Sequence, residues 1–449
     1  MKFSHNDNPA LDDAFGHDAF LAEVCSQIST CVPPKGIGIN GYWGTGKTSA
    51  LLQVYRHLTN ELPYGENPTP GTPSQNHDGS ILPVWFEAWR YQHESLPIVA
   101  LLNEIRQQLG LWAAFQQKAK KLGSVALLGA ISAFDETVKA ASGGLLKPEF
   151  GKIQQIGNTW EKERFQKPLE GQVIRTLMQE AIQEILKSKE KNKLVIFIDD
   201  LDRCEPATAL RLMEGIKIYL SLNNCVIVFG MDQRQVERAL AAVLALPGGN
   251  DAVPNTAYYA SEYLEKICQD IIHLPLANKE EKSKYLHKLL LDIFEGGANL
   301  RQKAFANLLR NITDKHDCLP ANPRKIKALA NRLASMMRRY TSNAEATDQP
   351  PTLREAELCF IVAILYCFHR SVYEQLQRRP EYIQDVLAYA GDSDTTQEKY
   401  SPMKGIRPSM NGSNELPVNP SDSNVFRLHQ LLVEMETITA EEIKPFVVL

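Results

Sequence analysis

The sequence predicts an α/β fold with a parallel sheet, followed by an all-helical C-terminal region. Up to about residue 277, short apolar segments alternate with segments of helical periodicity. This alternation is typical of parallel sheets whose two faces are both covered by helices. Beyond residue 277 the strand pattern fades, and helical spacing is found in 279–295, 301–311, 322–339, 353–378 and 380–390.

The predicted strands are short and rich in β-branched and aromatic residues. They cover 35–43, 81–89, 193–199, 224–231 and 271–276. The predicted helices among them cover 48–58, 95–109, 207–220, 233–244 and 260–270. Trp85 and Trp89 have an even spacing on one predicted strand, so we expect both to pack on the same face, in the core.

Three regions are expected along the chain. Residues 1–277 form the α/β core with a largely helical insert at about 110–190. Residues 278–390 form a helical lid or C-terminal domain. Residues 391–449, rich in Ser, Pro, Asn and Gly at their start, form a partly flexible tail with a terminal helix.

Length and composition are those of an ordinary globular protein. The chain has 449 residues and a net charge of −4, so no whole-chain attraction to nucleic acid or anionic membrane is expected. The longest apolar runs, 123–134 and 358–368, are shorter than the ~20 residues of a membrane-spanning helix. The polar N-terminus lacks a signal-peptide pattern, and the eight scattered cysteines form no CxxC pair. We therefore expect a cytoplasmic protein without membrane insertion.

A glycine-rich motif follows the first predicted strand. Residues 41–48, GYWGTGKT, match the G-x-x-x-x-G-K-[ST] pattern of a phosphate-binding loop, or P-loop. Its glycines let backbone N–H groups approach phosphate oxygens, and the positive end of the following helix faces the same anion. Lys47 would contact the β- and γ-phosphates, and the Thr48 hydroxyl would ligate Mg²⁺. The alternative is a glycine-rich turn without a ligand. The predicted nucleotide-binding residues are Gly41, Tyr42, Trp43, Gly44, Thr45, Gly46, Lys47, Thr48 and the adjoining Ser49.

A second motif ends the predicted strand 193–199 with two acids. Ligands of open α/β sheets bind at the carboxyl ends of the strands, so Asp199 is expected to hold Mg²⁺, directly or through water. Asp200 is the candidate base that orients and deprotonates the attacking water. The alternative is that Asp200 and Asp202 cap the next helix. The predicted strand 81–89 comes earlier in the chain, which by analogy indicates the additional-strand branch of P-loop NTPases, whose usual substrate is ATP.

These motifs and several others resemble the KAP family of P-loop NTPases. The matching stretches occur in the family's order over about residues 10–340. They are GYWGTGKTS (41–49), VWFEAWRY (84–91), FIDDLDRCEP (197–206), FGMDQRQVERAL (229–240), EYLEKICQDIIHLPL (262–276) and NPRKIK (322–327). The resemblance implies a P-loop α/β domain with a helical C-terminal region, and an ATPase that works with Mg²⁺.

The resemblance implies further site residues. Asp232 matches a position where a polar side chain senses the γ-phosphate, with capping of helix 233–244 as the alternative. Arg203 and Arg324 match basic positions that could supply charge to the transferring phosphoryl group, in cis or from a neighbouring subunit. A surface salt bridge and a solvated helix face are the respective alternatives. Glu87 stands where many members have Asn, so it could be a second catalytic acid or merely close a strand.

The resemblance also implies partners. Many members carry transmembrane helices between the P-loop and the acidic strand, whereas this interval holds only the apolar run 123–134. Bacterial members without such helices resemble components of phage-defence operons, which implies a switch or motor in a homo-oligomer or in a complex with operon-encoded proteins. Two alternatives stay open. One is a regulatory module that binds ATP without turnover, and the other is an ATP-gated nucleic-acid sensor that uses basic residues within 318–342, Arg338 and Arg339 among them.

Overall fold

The computed structural model describes residues 4–63, 79–94, 97–109, 168–244, 256–294, 300–343, 350–391, 403, 406, 428–435 and 437–447. Most of the predicted insert, including the apolar run 123–134, and much of the predicted tail lie outside the described residues. Within the described residues, no helix combines the length and the apolar character that crossing a membrane requires.

The chain forms two compact units. The first, here called the sheet unit, comprises Asp18–Trp43 and Lys47–Leu274. The second, here called the helical unit, comprises Met1–His17, Gly44–Gly46 and Pro275–Leu449.

A five-stranded parallel sheet is the centre of the sheet unit. Its strands are β1 (Lys35–Asn40), β2 (Ile81–Glu87), β3 (Lys193–Asp199), β4 (Cys225–Met231) and β5 (Asp270–His273). They lie in the order β2-β3-β4-β1-β5, and all neighbouring pairs are parallel. The strand between β1 and β3 is thus β4, while β2 lies at the edge. The sequence analysis pointed to β2 as evidence of an additional strand, but only the structure shows which strand separates the P-loop strand from the acidic strand.

Helices cover both faces of the sheet. They are α1 (Asp18–Thr30), α2 (Lys47–Thr59), α3 (Pro97–Leu109), α4 (Pro168–Ser188), α5 (Pro206–Tyr219), α6 (Gln233–Leu244) and α7 (Thr256–Ile267). Residues of β3 alternate between two cores, with Val195 and Phe197 facing α1 and α2, and Ile196 on the face of α3 to α7. All seven residues of β3 are buried, as expected for a central parallel strand.

The two tryptophans of the β2 region do not share an environment. Trp85 is buried on β2, where its ring packs against Phe197 and Tyr55. Trp89 is 47% exposed, because the strand ends at Glu87 and a 3₁₀ turn, Ala88–Tyr91, follows. The expectation that both pack in the core was wrong for Trp89, since the two-residue side-chain period holds only while the chain stays extended.

The helical unit contains the remaining helices. They are α8 (Lys279–Phe294), α9 (Leu300–Lys315), α10 (Pro323–Asn343), α11 (Leu353–Phe368), α12 (Arg370–Arg378), α13 (Ile383–Gly391), α14 (Leu428–Glu434) and α15 (Ala440–Val447). Helix α11 begins with a capping box of Thr352 and Glu355. Its apolar residues from Leu358 to Leu365 are buried in the core of this unit, as its all-round hydrophobicity predicts. The predicted segment 353–378 is two helices, separated at His369.

A buried lysine ties α1 to the sheet. The Lys193 Nζ donates to the carbonyl oxygens of Ile28 (3.1 Å), Ser29 (2.7 Å) and Cys31 (3.1 Å) at the end of α1. These are the carbonyls that a helix C-terminus leaves without intrahelical partners. The ammonium also lies at the negative end of the helix dipole. Its burial is therefore offset by three hydrogen bonds and a favourable dipole.

We expect the substitution Lys193→Met to destabilise the protein by about 2–3 kcal/mol, because three carbonyls lose a charged donor inside the protein. Chemical denaturation monitored by circular dichroism measures the effect. The matched control is Lys189→Met, since Lys189 is exposed just after α4 and its replacement should change stability little. Equal effects of the two substitutions would contradict the capping role.

Candidate nucleotide site

The predicted phosphate loop connects β1 to α2 at the carboxyl edge of the sheet. β1 ends at Asn40, α2 begins at Lys47, and the Gly41 N–H donates to the carbonyl of Met231 on β4 (3.1 Å). Gly44 and Gly46 have φ values of +82° and +104°. These are left-handed conformations that side chains disfavour, so the loop requires glycine at both positions.

Lys47 is buried at the start of α2, with 9% of its side chain exposed. Its Nζ lies 3.1 Å from Oδ2 of Asp202 and 3.3 Å from the carbonyl oxygen of Tyr42. The predicted phosphate-binding lysine therefore forms an ion pair with an acid that the sequence analysis considered only as a helix cap.

Asp199 ends β3 and is 2% exposed. The Thr48 side chain hydrogen-bonds to its carboxylate. Oδ1 is buried and has no hydrogen-bond partner among the described residues. Burial, followed by the neighbouring Asp200 charge, raises the pKa of Asp199 to about 7, although the Thr48 hydrogen bond acts in the opposite direction.

Gly230 on β4 leaves room for this carboxylate. A Cβ at Gly230 would lie 2.3 Å from Leu51 Cδ1 and 3.0 Å from Asp199 Oδ1. The pairing of Asp199 with a threonine hydroxyl, together with an unpartnered buried oxygen, fits a divalent cation, because Mg²⁺ is held in such sites by one or two protein oxygens and by phosphates. The described residues contain no group of three or more His, Cys, Asp and Glu side chains arranged for a metal.

Asp200 follows in a left-handed conformation, with φ 59° and ψ 28°. Its Oδ1 accepts from Arg203 Nε at 2.9 Å across a 3₁₀ turn, Leu201–Arg203. Burial raises the pKa of Asp200, while the Arg203 charge lowers it. The Arg203 guanidinium also lies 5.9 Å from the ring centroid of Trp43, which is 66% exposed in the loop. Arg203 therefore links the candidate base to the phosphate loop.

Glu87 lies beside this site on the neighbouring strand. It ends β2 and is aligned with Asp199 in the strand register. Its Oε2 lies 2.5 Å from Nε of Arg90, which belongs to the next 3₁₀ turn. Glu87 and Asp200 thus share one arrangement, in which a strand-end acid pairs with an arginine three residues later.

Asp202 and Asp232 complete the group of acids. Oδ2 of Asp202 accepts from the Asp232 N–H at 3.1 Å as well as from Lys47, and its Oδ1 is buried without a partner among the described residues. Burial raises the pKa of Asp232, whose carboxylate accepts from the backbone N–H groups of Arg234 and Gln235. These bonds cap α6, so the capping alternative for Asp232 is present in the structure. Its role towards the γ-phosphate stays a prediction.

Asn40 is a site residue that the sequence analysis did not identify. Its Oδ1 accepts from the N–H of Gln233 (2.9 Å), and its Nδ2 lies 2.9 Å from His273 Nδ1. Asn40 thereby joins the end of β1 to the start of α6 and the end of β5. A polar residue that ends a buried strand just before the P-loop is the only signal that could have identified it.

Arg324 lies in the helical unit. Its Nε donates to the Asp7 carboxylate (2.8 Å), and its backbone N–H points to the Gly44 carbonyl (3.5 Å). The side chain of Asn322 accepts from the Lys325 N–H and caps α10. A Cβ at Gly44 would lie 2.7 Å from Asn322 Oδ1, so this close approach is a second reason for glycine there. The proposed charge of Arg324 on a phosphoryl group stays a prediction.

The site carries more acids than bases. The acids are Glu87, Asp199, Asp200, Asp202 and Asp232, and the bases that pair with them are Lys47, Arg90 and Arg203. A polyphosphate would add further negative charge to this edge. A cation that entered with such a ligand would offset this charge, which agrees with the fit of Asp199 and Thr48 to Mg²⁺.

Comparison with known proteins gives a family match. The model of the KAP family P-loop domain matches residues 18–340. An uncharacterised protein of Methanocaldococcus jannaschii is 28% identical over 164 residues, which cover 31% of this chain and 84% of that protein. The family match includes the P-loop, the acidic strand and the stretch 322–327.

We expect Asp199→Asn to stabilise the Mg²⁺-free protein at pH 8 by on the order of 2 kcal/mol. The raised pKa means that the folded protein holds a proton which the unfolded chain has released, so stability falls as pH rises from about 4 to about 7. Asparagine has no charge, so it avoids the free energy that ionisation of Asp199 costs the folded protein. The gain in stability should shrink as pH is lowered to 5. Thermal unfolding at both pH values measures it.

The control for this experiment is Asp270→Asn. Asp270 forms a partly exposed ion pair with Lys35 (2.7 Å) at the opposite end of the strands, so its loss should change stability little at either pH. An Asp199→Asn variant less stable than wild type at pH 8 would contradict the raised pKa of the Asp199 carboxyl.

Proposed function

Because the chain belongs to the KAP family of P-loop NTPases, we propose that it binds ATP with Mg²⁺ and hydrolyses the nucleotide at the carboxyl edge of its sheet. The observation that carries the proposal is the buried Asp199 carboxylate, which is bonded to Thr48 and keeps one oxygen without a partner. A hydroxyl and a carboxylate oxygen beside a phosphate loop form the protein half of a magnesium–nucleotide site.

Each part of the site has its own role. The backbone of residues 41–49 and the Lys47 side chain bind the phosphates, and Thr48 with Asp199 would hold Mg²⁺. When bound, the cation neutralises phosphate charge and polarises the transferring phosphoryl group. Asp200 orients the attacking water and accepts its proton. Arg203 forms an ion pair with Asp200. If its guanidinium moved to contact a phosphate oxygen, the Asp200 carboxylate would be free to accept a hydrogen bond from the water.

A module that binds ATP without turnover uses the same phosphate loop and the same Mg²⁺ ligands. It differs only in Asp200, which would then serve as a structural partner of Arg203. The position of Asp200 favours the catalytic role, because it directly follows Asp199 and its partner Arg203 lies 5.9 Å from the Trp43 ring centroid in the phosphate loop.

The nucleic-acid alternative has weaker support from the basic residues of α10. Arg324 pairs with Asp7, Lys327 donates to the Asn8 carbonyl, and the Arg332 guanidinium lies 3.9 Å from the Tyr366 ring centroid. These three basic side chains thus already have partners within the protein, whereas the family match that supports ATP turnover extends over residues 18–340. We therefore favour ATP turnover over nucleic-acid sensing.

The role in a larger assembly follows from the family resemblance alone. We propose that ATP turnover switches a homo-oligomer or a complex with operon-encoded partners, and that the process served is antiviral defence. A cell that carries the operon with Lys47→Ala should lose protection against phage. Unchanged protection would show that nucleotide binding through Lys47 is not needed for the biological function.

We expect Asp200→Asn to lower kcat for phosphate release by about 100-fold or more, because the water loses its base, while the affinity for Mg·ATP changes little. Lys47→Ala should instead weaken Mg·ATP binding strongly, because the phosphates lose a buried cation. Phosphate release and calorimetry on the full-length protein separate the two effects. Wild-type protein that binds Mg·ATP but releases no phosphate would support the binding-only alternative, and absence of binding would overturn the proposal.

Glu87→Gln distinguishes the two candidate acids. Its expected loss in kcat is about tenfold at most, because Arg90 holds the Glu87 carboxylate and Asp200 supplies the base. A loss in Glu87→Gln as large as that in Asp200→Asn would show that the edge-strand acid takes part in the proton transfer. Asp270→Asn again serves as the control for a simple loss of charge.

A further inference from the structure

The ion pair between Lys47 and Asp202 has no role in the function as described so far. We propose that Asp202 is a positioning residue that competes with the nucleotide phosphates for Lys47 and thereby sets the affinity of the site. The inference rests on the proposed function, because it concerns the same lysine. It assigns to Asp202 a task distinct from those of the two acids at the end of β3.

The ion pair between Lys47 and Asp202 is short and shielded from solvent. Lys47 Nζ lies 3.1 Å from Asp202 Oδ2, and the two side chains are 9% and 8% exposed. A pair shielded from solvent is attracted more strongly than one on the surface. The lysine that should meet the phosphates therefore has a strong competing partner inside the site.

The carboxylate is only partly compensated in this position. Asp202 Oδ2 accepts two hydrogen bonds, from Lys47 and from the Asp232 N–H, whereas its buried Oδ1 has no partner among the described residues. Desolvation of an incompletely bonded carboxylate is costly, so a second arrangement with better solvation or a cation nearby becomes accessible. When phosphates draw Lys47 away, the repelled carboxylate is expected to turn from the lysine.

A movement of the Asp202 side chain would affect the start of α6. Asp202 Oδ2 is bonded to the N–H of Asp232, the residue that caps α6, and the next residue, Gln233, is bonded to Asn40 at the end of β1. Displacement of Asp202 would loosen the bond to the Asp232 N–H. Phosphate binding at Lys47 would in this way change the hydrogen bonding at the start of α6.

The variant Asp202→Asn tests the competition. Asparagine keeps an oxygen acceptor for the Asp232 N–H but removes the charge that holds Lys47. We expect the Kd for Mg·ATP to fall about tenfold, measured by calorimetry on the full-length protein, with thermal unfolding as a check of folding. Asp270→Asn, which removes one carboxylate charge at the far end of the sheet, should leave the Kd unchanged.

The double variant Asp202→Asn with Lys47→Ala shows whether the effect passes through the lysine. The gain in affinity should vanish in the Lys47→Ala background, measured by displacement of a fluorescent ATP analogue at millimolar nucleotide. A Kd in Asp202→Asn that is equal to or weaker than wild type overturns the proposal. A gain that persists without Lys47 also overturns it, because Asp202 would then act on the phosphates directly.

A measurement on the wild-type protein keeps the test independent of how the variant folds. Hydrogen exchange of the peptide that covers the start of α6 should become faster when Mg·ATP is added. Unchanged or slower exchange in protein shown by calorimetry to be saturated argues against displacement of Asp202. Protein that binds no Mg·ATP at all refutes the proposed function instead. Calorimetry therefore distinguishes failure of the proposed function from failure of the role proposed for Asp202.

Discussion

The burial of a carboxylate at the end of β3 is the constraint around which the site is built. Every residue of this strand is buried, and its last side chain, Asp199, enters the interior with a pKa raised to about 7. The surroundings accommodate it with a threonine hydroxyl from α2 and with the missing side chain of Gly230. A carboxylate that is costly to ionise in the protein alone is a favourable ligand for a cation, because the cation restores the lost solvation.

Three of the other acids of the site lie in local ion pairs, while Asp232 accepts from backbone N–H groups. Glu87 has Arg90, Asp200 has Arg203, and Asp202 has Lys47, whereas Asp199 has a hydroxyl. A phosphate that recruits one of these three basic side chains therefore competes with the acid that holds it. Under the proposed function, this competition would couple phosphate binding to the hydrogen bonds of the acids.

Much of the fold could be predicted because it depends on local pattern. The alternation of apolar strands with helices, the all-round hydrophobicity of α11 and the glycines of the phosphate loop each require specific residue types at specific spacings. The lateral order of the strands could not be predicted, since chain order places β2 before β3 but does not say that β4 lies between β1 and β3. Asp202 and Asn40 were missed as site residues for the same reason. Their partners are distant in sequence, and only the packed sheet brings them together.

The turn that follows β3 connects the fold to the proposed roles of two acids. Asp200 has a left-handed backbone, a conformation that aspartate adopts more readily than most residues. Here the 3₁₀ turn Leu201–Arg203 and the Arg203 ion pair fix it. The same turn delivers Asp202 to Lys47, so one tight turn after β3 places two acids with different partners. The Asp202 position serves nucleotide affinity under the competition proposed for Lys47, and the Asp200 position serves the water in the proposed turnover. One turn can therefore supply both roles, because successive residues of a tight turn point in different directions.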